Sequence, residues 1–257
     1  MEKEKQITLE ERRRVQLNML AEFDTFCRSH SLKYSLAFGT LLGAIRHKGY
    51  IPWDDDVDIM MPLPDYNKMK AMLHSDSFRV CDVDSEKYYD FIFPRLADNG
   101  SYRKVGKLGS KTYGINIDLY VVVGCPQSMN DKQWVEAKRI HKKGIKLYIW
   151  QGRFVRYLPI RPLSIFRRYL KKWRDFFFNL VPYDEARYYY IIMGTVKEKY
   201  IFDYDIFDTM TDVDFEGMRL MSIAGFDSFL KRAYGDYMTL PPENERIPYH
   251  GGTFYKI

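Results

Sequence analysis

The segment FGTLLGAIRHKGYIPWDDDVDIMM, residues Phe38–Met61, decides the fold, because it joins two apolar runs through a cluster of aspartates. Its last six residues, DVDIMM, alternate acidic with apolar side chains and predict a buried strand. Successive side chains of a strand point to opposite faces, so Asp56 and Asp58 are expected to project together. Two convergent carboxylates form a hard oxygen site that suits Mg²⁺ or Mn²⁺.

A third carboxylate belongs to the chain's strongest strand pattern, GINIDLYVVVG at residues 114–124, which contains Asp118. If this strand lies beside the first, three carboxylates converge in an arrangement that serves phosphoryl transfer, with Asp118 completing the site as the candidate base for the attacking hydroxyl. A lone carboxylate of this kind is equally well explained by an ion pair with an arginine. For Asp54 and Asp55 a solvated loop or a helix cap is a sufficient explanation, and the sequence leaves open whether they join the metal site.

Residues before the aspartates predict a phosphate-binding element. Gly39-Thr40 are expected to form a turn after the strand YSLAF, offering backbone N–H groups, a hydroxyl and the positive end of the next helix to a phosphate. Arg46 and Lys48 add positive charge before the acidic cluster, although an exposed basic helix end explains them as well. Nothing in this segment supplies an obvious nucleophile for a covalent intermediate.

Two further residues are candidates for substrate contact. Arg95 follows a predicted strand in FPRLADNG and is expected either to contact the transferred phosphate or to form a surface salt bridge. His250, in YHGG, is expected to be a polar contact near the site or a structural histidine.

The 257 residues, 46% hydrophobic and 29% charged, predict a soluble globular protein of one or two domains. The charged N-terminus has no apolar run typical of a signal peptide, and three scattered cysteines favour a reducing cytoplasm over a disulfide framework. TLEE, starting at Thr8, predicts a capping box and a helix to about Arg28.

Helix and strand patterns alternate in the N-terminal half, whereas helical and basic patterns follow Pro126. The pattern indicates an α/β (α+β) chain with a mixed sheet core, flanking helices and a helical, basic C-terminal half. We expect a catalytic core at residues 1–125, and a helical basic region at residues 126–257 packed with it as one body.

The net charge of +6 is unevenly distributed, because residues 137–174 contain thirteen basic residues and no acidic one. Large apolar side chains are interleaved with these charges. This combination is typical of an element at an anionic membrane surface or of a nucleic-acid surface, and also of a helical subdomain with a solvated positive face.

GTLLGAIRHKGYIPWDDDVDI resembles the signature of the LicD family of phosphotransferases, which is related to fukutin-type enzymes and belongs to the nucleotidyltransferase superfamily. In that resemblance Gly39-Thr40 match the turn, Asp56 and Asp58 the Asp-x-Asp pair, and Asp118 the third acid. FEG at residues 215–217 and YGDYMTLPPENER at residues 234–246 resemble the family's C-terminal signature. Thr40 departs from the commoner Ser or Gly, and the long gap between Thr40 and Asp56 suits the LicD branch.

The resemblance implies metal-dependent transfer of phosphocholine from CDP-choline to a hydroxyl of a cell-surface glycan, with release of CMP. Relatives use CDP-ribitol or CDP-glycerol, so ribitol phosphate and glycerol phosphate are alternatives. The acceptor implied is a lipid-linked glycan at the cytoplasmic leaflet, where a basic face would hold the enzyme peripherally on anionic lipid.

Two other functions remain open from the sequence. The Asp-x-Asp geometry also permits true nucleotidyl transfer. A non-catalytic basic protein that binds nucleic acid is a third possibility, but it leaves the paired aspartates unexplained, and nucleic acid is not the expected partner.

Overall fold

The computed structural model describes residues 5–86, 89, 91–105, 110–127, 131–140, 142–143, 163–193, 198–247 and 253–257. Helices within these ranges are α1 (Leu9–Ser29), α2 (Phe38–His47), α3 (Leu63–Met72), α4 (residues 132–140), α5 (Leu163–Phe178) and α6 (Phe226–Tyr234). Short 3₁₀ helices lie at Tyr183–Glu185, Glu198–Tyr200 and Glu243–Glu245. No helix of this described part is long and apolar enough to cross a bilayer.

Strands account for most of the core. They are β1 (Ser35–Leu36), β2 (Asp58–Pro62), β3 (Phe78–Cys81), β4 (Arg95–Asp98), β5 (Ser101–Val105), β6 (Ser110–Tyr113), β7 (Asn116–Cys125), β8 (Tyr188–Ile191), β9 (Ile201–Phe202), β10 (Met210–Phe215), β11 (Met218–Ile223) and β12 (Phe254–Lys256). The main sheet has the order β1-β2-β7-β4-β3, and β8 and β9 extend it from β7. The predicted mixed α/β core with flanking helices is therefore confirmed.

Strand β7 is the centre of this sheet. One edge pairs in parallel with β2, and the other pairs antiparallel first with β4 and then with β8. Almost every residue of β7 is buried, as expected of a β-branched run covered on both faces. The N-terminal ends of β2 and β7 lie side by side, which brings their acidic residues to one edge of the core.

Helix α1 begins as the sequence predicts. Thr8 Oγ1 accepts the backbone N–H of Glu11 at 3.2 Å, and Glu11 Oε2 accepts the Thr8 N–H at 3.0 Å, so the capping box is complete. The helix buries Met19, Leu20, Phe23 and Cys27.

Helix α2 begins earlier than predicted. The expected turn at Gly39-Thr40 is wrong, since α2 starts at Phe38 and both residues lie in its first turn. Phe38 has φ of 41°, a left-handed value that is strained for an aromatic residue. This conformation turns the chain abruptly from β1 into α2 and places the helix N-terminus against the acidic segment.

The C-terminal half contains strands as well as the predicted helices. Strand β8 joins the main sheet, β10 and β11 form a hairpin, and β12 pairs with β5. The division at residue 125 stays a prediction, although β7 and β8 pair across it. Of the basic segment 137–174, residues 141 and 144–162 lie outside the described residues.

Candidate active site

The pairing of β2 with β7 places two carboxylates side by side. Its parallel register sets Asp58 directly opposite Asp118. Adjacent strands lie about 4.8 Å apart and paired residues point to the same face, so the two side chains share one face of the sheet. Each residue is buried, with 8% of its surface exposed. The strand with Asp118 therefore lies beside the strand with Asp58, which is the arrangement that convergence of the carboxylates required.

The loop before β2 adds further carboxylates. Strand β2 begins at Asp58 rather than at Asp56, so the loop and not the strand pleat positions Asp56. Carboxylate oxygens of Asp54, Asp55 and Asp56 lie within 4.8 Å of one another. A hydrogen bond also links the side chains of Asp56 and Asp54.

Burial and mutual repulsion make these carboxyl groups hard to ionise. Burial, followed by the charges of Asp58 and Asp54, raises the pKa of Asp56 to about 10. Burial and then the charges of Asp118 and Asp54 raise the pKa of Asp58 well above its usual value. Asp58 Oδ1 is also buried without a hydrogen-bond partner among the residues that the structure describes. A carboxylate set with an orphaned oxygen fits a hard divalent cation such as Mg²⁺ or Mn²⁺.

Asp118 is held by hydrogen bonds from strand β4 and from its own strand. Arg95, its register partner on β4, donates from Nε to Oδ1 at 2.6 Å and from Nη2 to Oδ2 at 3.1 Å. Asn116 Nδ2 donates to Oδ1 at 2.6 Å. The guanidinium of Arg95 lies 3.5 Å from the centroid of the Phe91 ring. The arginine is thus buried in a salt bridge, not at the surface as the sequence suggested, and its contact with phosphate stays a prediction.

The first turn of α2 packs directly against the acidic residues. Thr40 Oγ1 accepts the backbone N–H of Asp58 at 2.8 Å, which fixes the start of β2 against the helix. A Cβ atom on Gly39 would lie 2.7 Å from Asp54 Oδ2, so a side chain at this position would displace the Asp54 carboxylate. The positive end of α2 therefore faces the Asp54 carboxylate.

A cleft of about 770 Å³ opens beside the carboxylates. Its floor includes Asp54, Asp56 and Asp58, and the segment at residues 234–247 forms the facing wall. The residues that line it are Gly39, Leu42, Arg46, Ile51, Trp53, Asp54, Asp56, Asp58, Tyr234, Asp236, Tyr237, Thr239, Leu240, Pro241, Pro242, Glu245 and Ile247. Such a volume accommodates a small-molecule substrate next to the acidic cluster.

Comparison with known proteins agrees with this site. Residues 31–149 match the LicD/FKTN/FKRP nucleotidyltransferase domain. The lipopolysaccharide cholinephosphotransferase LicD of Haemophilus influenzae is 27% identical over 263 residues, which cover 96% of this chain and 97% of that protein. Residues 31–149 therefore form a LicD-family domain, and the likeness to the Haemophilus protein supports a phosphotransferase.

Two uncharacterized proteins are similar to parts of this chain. RP689 of Rickettsia prowazekii is 30% identical over 93 residues, covering 36% of the chain and 27% of that protein. RT0683 of Rickettsia typhi is 25% identical over 179 residues, covering 66% of the chain and 49% of that protein.

The N-terminal helix clamps the acidic loop of this LicD-family site. Arg12 Nη1 donates to Asp55 Oδ2 at 2.8 Å, and both side chains are buried. Arg13 Nη2 donates to the carbonyl oxygens of Ile51 at 3.3 Å, Pro52 at 3.2 Å and Asp54. Sequence reasoning missed both arginines, although the run ERRRV inside an amphipathic helix was a visible signal.

The segment FEG at residues 215–217 supports the same loop. Glu216 Oε1 accepts the backbone N–H of Tyr50 at 2.9 Å, and Glu216 N–H donates to the Lys48 carbonyl at 2.9 Å. Glu216 and Gly217 have φ of 50° and 78° and form the two-residue turn between β10 and β11. The FEG motif thus places a carboxylate on the chain segment that leads to the LicD aspartates.

Arg46 and Lys48 have different surroundings. Arg46 lines the cleft, and its Nη1 donates to the Tyr237 carbonyl at 2.7 Å, so it connects α2 to the C-terminal wall. Lys48 ends α2 in a left-handed conformation, is exposed, and does not line the cleft. His250 lies outside the described residues.

Tyr234 connects the floor of the cleft with its wall. Partial burial and the charges of Asp58, Asp54 and Asp56 raise the pKa of its phenol. Tyr234 lines the cleft and is 46% exposed.

Proposed function

We propose that this LicD-family protein transfers a phospho-alcohol group, with phosphocholine as the first candidate, from a CDP-linked donor to a glycan hydroxyl and releases CMP. The observation that carries this proposal is the pairing of Asp58 with Asp118 beside the cleft, with Asp58 Oδ1 unpartnered among the described residues. The likeness to a protein named as a lipopolysaccharide cholinephosphotransferase supports the choice of phosphocholine as the transferred group and of a glycan as the acceptor.

Asp56, Asp58 and Asp118 would hold the divalent cation, Mg²⁺ or Mn²⁺. When bound, such an ion neutralises negative charge on the diphosphate of the donor. The first turn of α2 supplies backbone N–H groups at Gly39, which lines the cleft, and Arg46 adds a guanidinium to the same wall. Thr40 keeps its own hydroxyl proton for donation, because it accepts from Asp58 N–H.

The transfer forms a bond between the acceptor hydroxyl oxygen and the phosphorus that carries the alcohol, and breaks the bond from that phosphorus to CMP. The hydroxyl proton must pass to a base. Asp118 was the candidate from the sequence, but its oxygens already accept three hydrogen bonds and it does not line the cleft. Asp56 lines the cleft, so in its ionised form it is the better placed proton acceptor.

Product analysis tests the proposal. The protein is incubated with Mg²⁺, a lipid-linked glycan fraction and a panel of CDP-choline, CDP-ribitol and CDP-glycerol, and released nucleotides are separated. We expect CMP from one donor, and loss of this product in Asp58→Asn. Asp203→Asn is the matched control, because Asp203 is exposed and does not line the cleft. Absence of CMP with every donor would overturn the proposal.

True nucleotidyl transfer is the second candidate, since the matching domain carries that name. In that reaction the CMP moiety moves to the acceptor, and the alcohol phosphate is the free product. The same chromatogram separates these outcomes, because acceptor-bound CMP and free CMP are different species.

We further propose that the acceptor is lipid-linked and that a basic surface holds the enzyme at an anionic membrane. The surface consists of exposed Lys138, Lys142, Lys143, Arg168 and Lys172 on and beside α4 and α5. Each basic residue near an anionic surface contributes about 1 kcal/mol of attraction. Co-sedimentation with anionic vesicles, absent with zwitterionic ones and lost in Arg168→Glu/Lys172→Glu, is expected. Failure to co-sediment at low salt would contradict this part.

A further inference from the structure

A second basic stretch lies outside both the cleft and the segment 137–174. Residues 99–117 contain Arg103, Lys104, Lys107 and Lys111 and no acidic residue. Strands β5 and β6 of this stretch form an antiparallel pair, and β12 pairs with β5 to complete a three-stranded sheet. Residues 106–109, which join β5 to β6 in the sequence, lie outside the described residues. The stretch supplies positive charge with no acidic neighbour in the sequence to neutralise it.

Two lysines of these strands stand opposite each other. The register pairs Lys104 with Lys111, so their side chains lie on the same face of the sheet, and both residues are exposed. Like charges directly opposite on paired strands lower stability. Within the part of the chain that the structure describes, Lys111 forms no ion pair. An anion bound at this lysine pair would remove the repulsion between the two ammonium groups.

Two tyrosines on the same face hold the ammonium groups in place. Tyr102 and Tyr255 are register partners on β5 and β12, and their rings stack with centroids 5.5 Å apart. Lys111 Nζ lies 3.9 Å from the centroid of Tyr102, and Lys104 Nζ lies 5.0 Å from that of Tyr255. The ring faces orient the ammonium groups by cation–π attraction. A lysine has three N–H donors, so Lys111 can bind an anion while it stays on the ring.

This face is connected to the acidic site. Tyr113 is the register partner of Tyr102 on β6, and its hydroxyl accepts a hydrogen bond from Arg95 Nη1. Arg95 in turn donates two hydrogen bonds to the Asp118 carboxylate. One tyrosine and one arginine therefore separate the lysine face from Asp118, so an extended ligand can contact both.

We infer that the face formed by Tyr102, Lys104, Lys111 and Tyr255 is a docking surface for the acceptor, and that it recognises phosphate groups already present on the acceptor glycan. This inference rests on the proposed function and adds the class of acceptor, a phosphorylated oligosaccharide. Lysine ammonium groups bind phosphate as point charges, and such charge-assisted hydrogen bonds are stronger than those to the hydroxyl groups of a neutral glycan.

A nucleic acid also presents phosphates, but the aromatic residues of this face do not suit it. Single-stranded nucleic acids bind by stacking their bases on free aromatic rings. Tyr102 is buried, with 4% of its surface exposed, and its ring is covered by Lys111 and stacked on Tyr255. The face therefore offers charge for phosphates without an open ring for bases, which favours the glycan.

Calorimetric titration at low salt, in Mg²⁺ and without donor, tests the surface. The probes are deacylated lipopolysaccharide oligosaccharide, the same oligosaccharide after removal of its phosphates with hydrofluoric acid, and a single-stranded oligonucleotide. We expect the phosphorylated oligosaccharide to bind about tenfold more tightly than the dephosphorylated one. Lys104→Gln/Lys111→Gln should abolish most of this difference and leave the affinity for the dephosphorylated probe within about twofold of the wild type.

Lys68→Gln/Lys132→Gln is the matched control, because it removes the same charge from exposed positions on other elements. This variant should bind both oligosaccharides as the wild type does. In the double variant of the docking surface, CDP-choline affinity should be unchanged, since neither lysine lines the cleft.

Equal affinity of the wild type for the two oligosaccharides would overturn the inference, as would equal behaviour of the two double variants. An oligonucleotide bound as tightly as the phosphorylated oligosaccharide, and weakened as much by Lys104→Gln/Lys111→Gln, would show a general polyanion surface and overturn it too. Phosphate-dependent binding without CMP release from any donor would contradict the proposed function alone. CMP release with the same KM for the phosphorylated acceptor in the wild type and in Lys104→Gln/Lys111→Gln would contradict the docking surface alone.

Discussion

Asp58 and Asp118 lie in register on adjacent parallel strands, both buried, and only Asp118 has a buried arginine as its partner. Asp58 has no such arginine, and its Oδ1 has no hydrogen-bond partner among the described residues. Its negative charge must therefore be compensated by another group. The folded chain therefore carries a local electrostatic cost that a proton or a divalent cation removes. The first two predictions follow from this relationship.

Magnesium should stabilise the protein against heat. At Mg²⁺ well above its dissociation constant we expect Tm to rise by roughly 5 °C over the protein in EDTA, because the ion binds the folded chain. Asp58→Asn should raise Tm in EDTA and abolish most of the response to Mg²⁺. Scanning calorimetry measures both quantities. An Mg²⁺ response in Asp58→Asn equal to that of the wild type would show that the ion binds elsewhere.

Stability without metal should fall as pH rises. The pKa of Asp56 is about 10 in the folded protein, whereas an unfolded aspartate ionises near pH 3.8. Between these values the folded state holds a proton that the unfolded state releases, so each rise in pH favours unfolding. Urea denaturation from about pH 5 to about pH 9 should show this loss in wild type and less of it in Asp56→Asn. Parallel curves for the two proteins would contradict the prediction.

Removal of Arg12 should destabilise the fold. Arg12→Ala leaves the buried Asp55 carboxylate without its ion-pair partner, at an expected cost of about 3 kcal/mol in the free energy of unfolding. Arg12→Ala combined with Asp55→Asn should cost less than the sum of the two single changes, since the double variant leaves no unpaired charge. Urea denaturation of the wild type, the two single variants and the double variant measures this coupling. Strictly additive losses in the free energy of unfolding would argue against a stabilising ion pair between Arg12 and Asp55.

Gly43 should be intolerant of a side chain. A Cβ atom there would lie 2.4 Å from the Gly49 carbonyl oxygen, a backbone atom that cannot rotate away. Gly43→Ala is expected to lower the free energy of unfolding by about 2 kcal/mol or more. Gly225→Ala is the control, because its nearest neighbour would be the Tyr204 hydroxyl at 4.0 Å. Similar losses in both variants would indicate a general intolerance of alanine.

Glu216 should act as a positioning residue for the metal site. Glu216→Ala removes the acceptor of Tyr50 N–H, so the loop to Asp54 loses one of its anchors. We expect Mg²⁺ affinity to fall about tenfold, as is typical when a residue behind a ligand is removed. Glu216→Gln keeps an acceptor oxygen and should restore most of that affinity. Calorimetric titration with Mg²⁺ measures these affinities. An unchanged Mg²⁺ affinity in Glu216→Ala would show that Glu216 does not position the metal site.

Several elements were predictable because their signals are local. The Thr8 capping box determines where α1 starts, and the β-branched run around Asp118 determines that β7 is a buried strand. The spacing of Asp56 and Asp58 before an apolar run was enough to indicate a metal-type acidic site. In each case neighbouring residues set the backbone conformation through hydrogen bonds or side-chain periodicity.

The partners of these residues were decided by the tertiary structure. No local pattern shows that Asp118 aligns with Asp58 on one side and with Arg95 on the other, because strand order and register depend on how distant segments pack. The same holds for Arg12 on Asp55 and for Glu216 on Tyr50, contacts between residues far apart in the chain. The sequence alone indicated the candidate carboxylates and the segments with strong local signals, such as α1 and β7. Only packing decided which carboxylates share a face, which of them is neutralised by an arginine, and which remains for a cation.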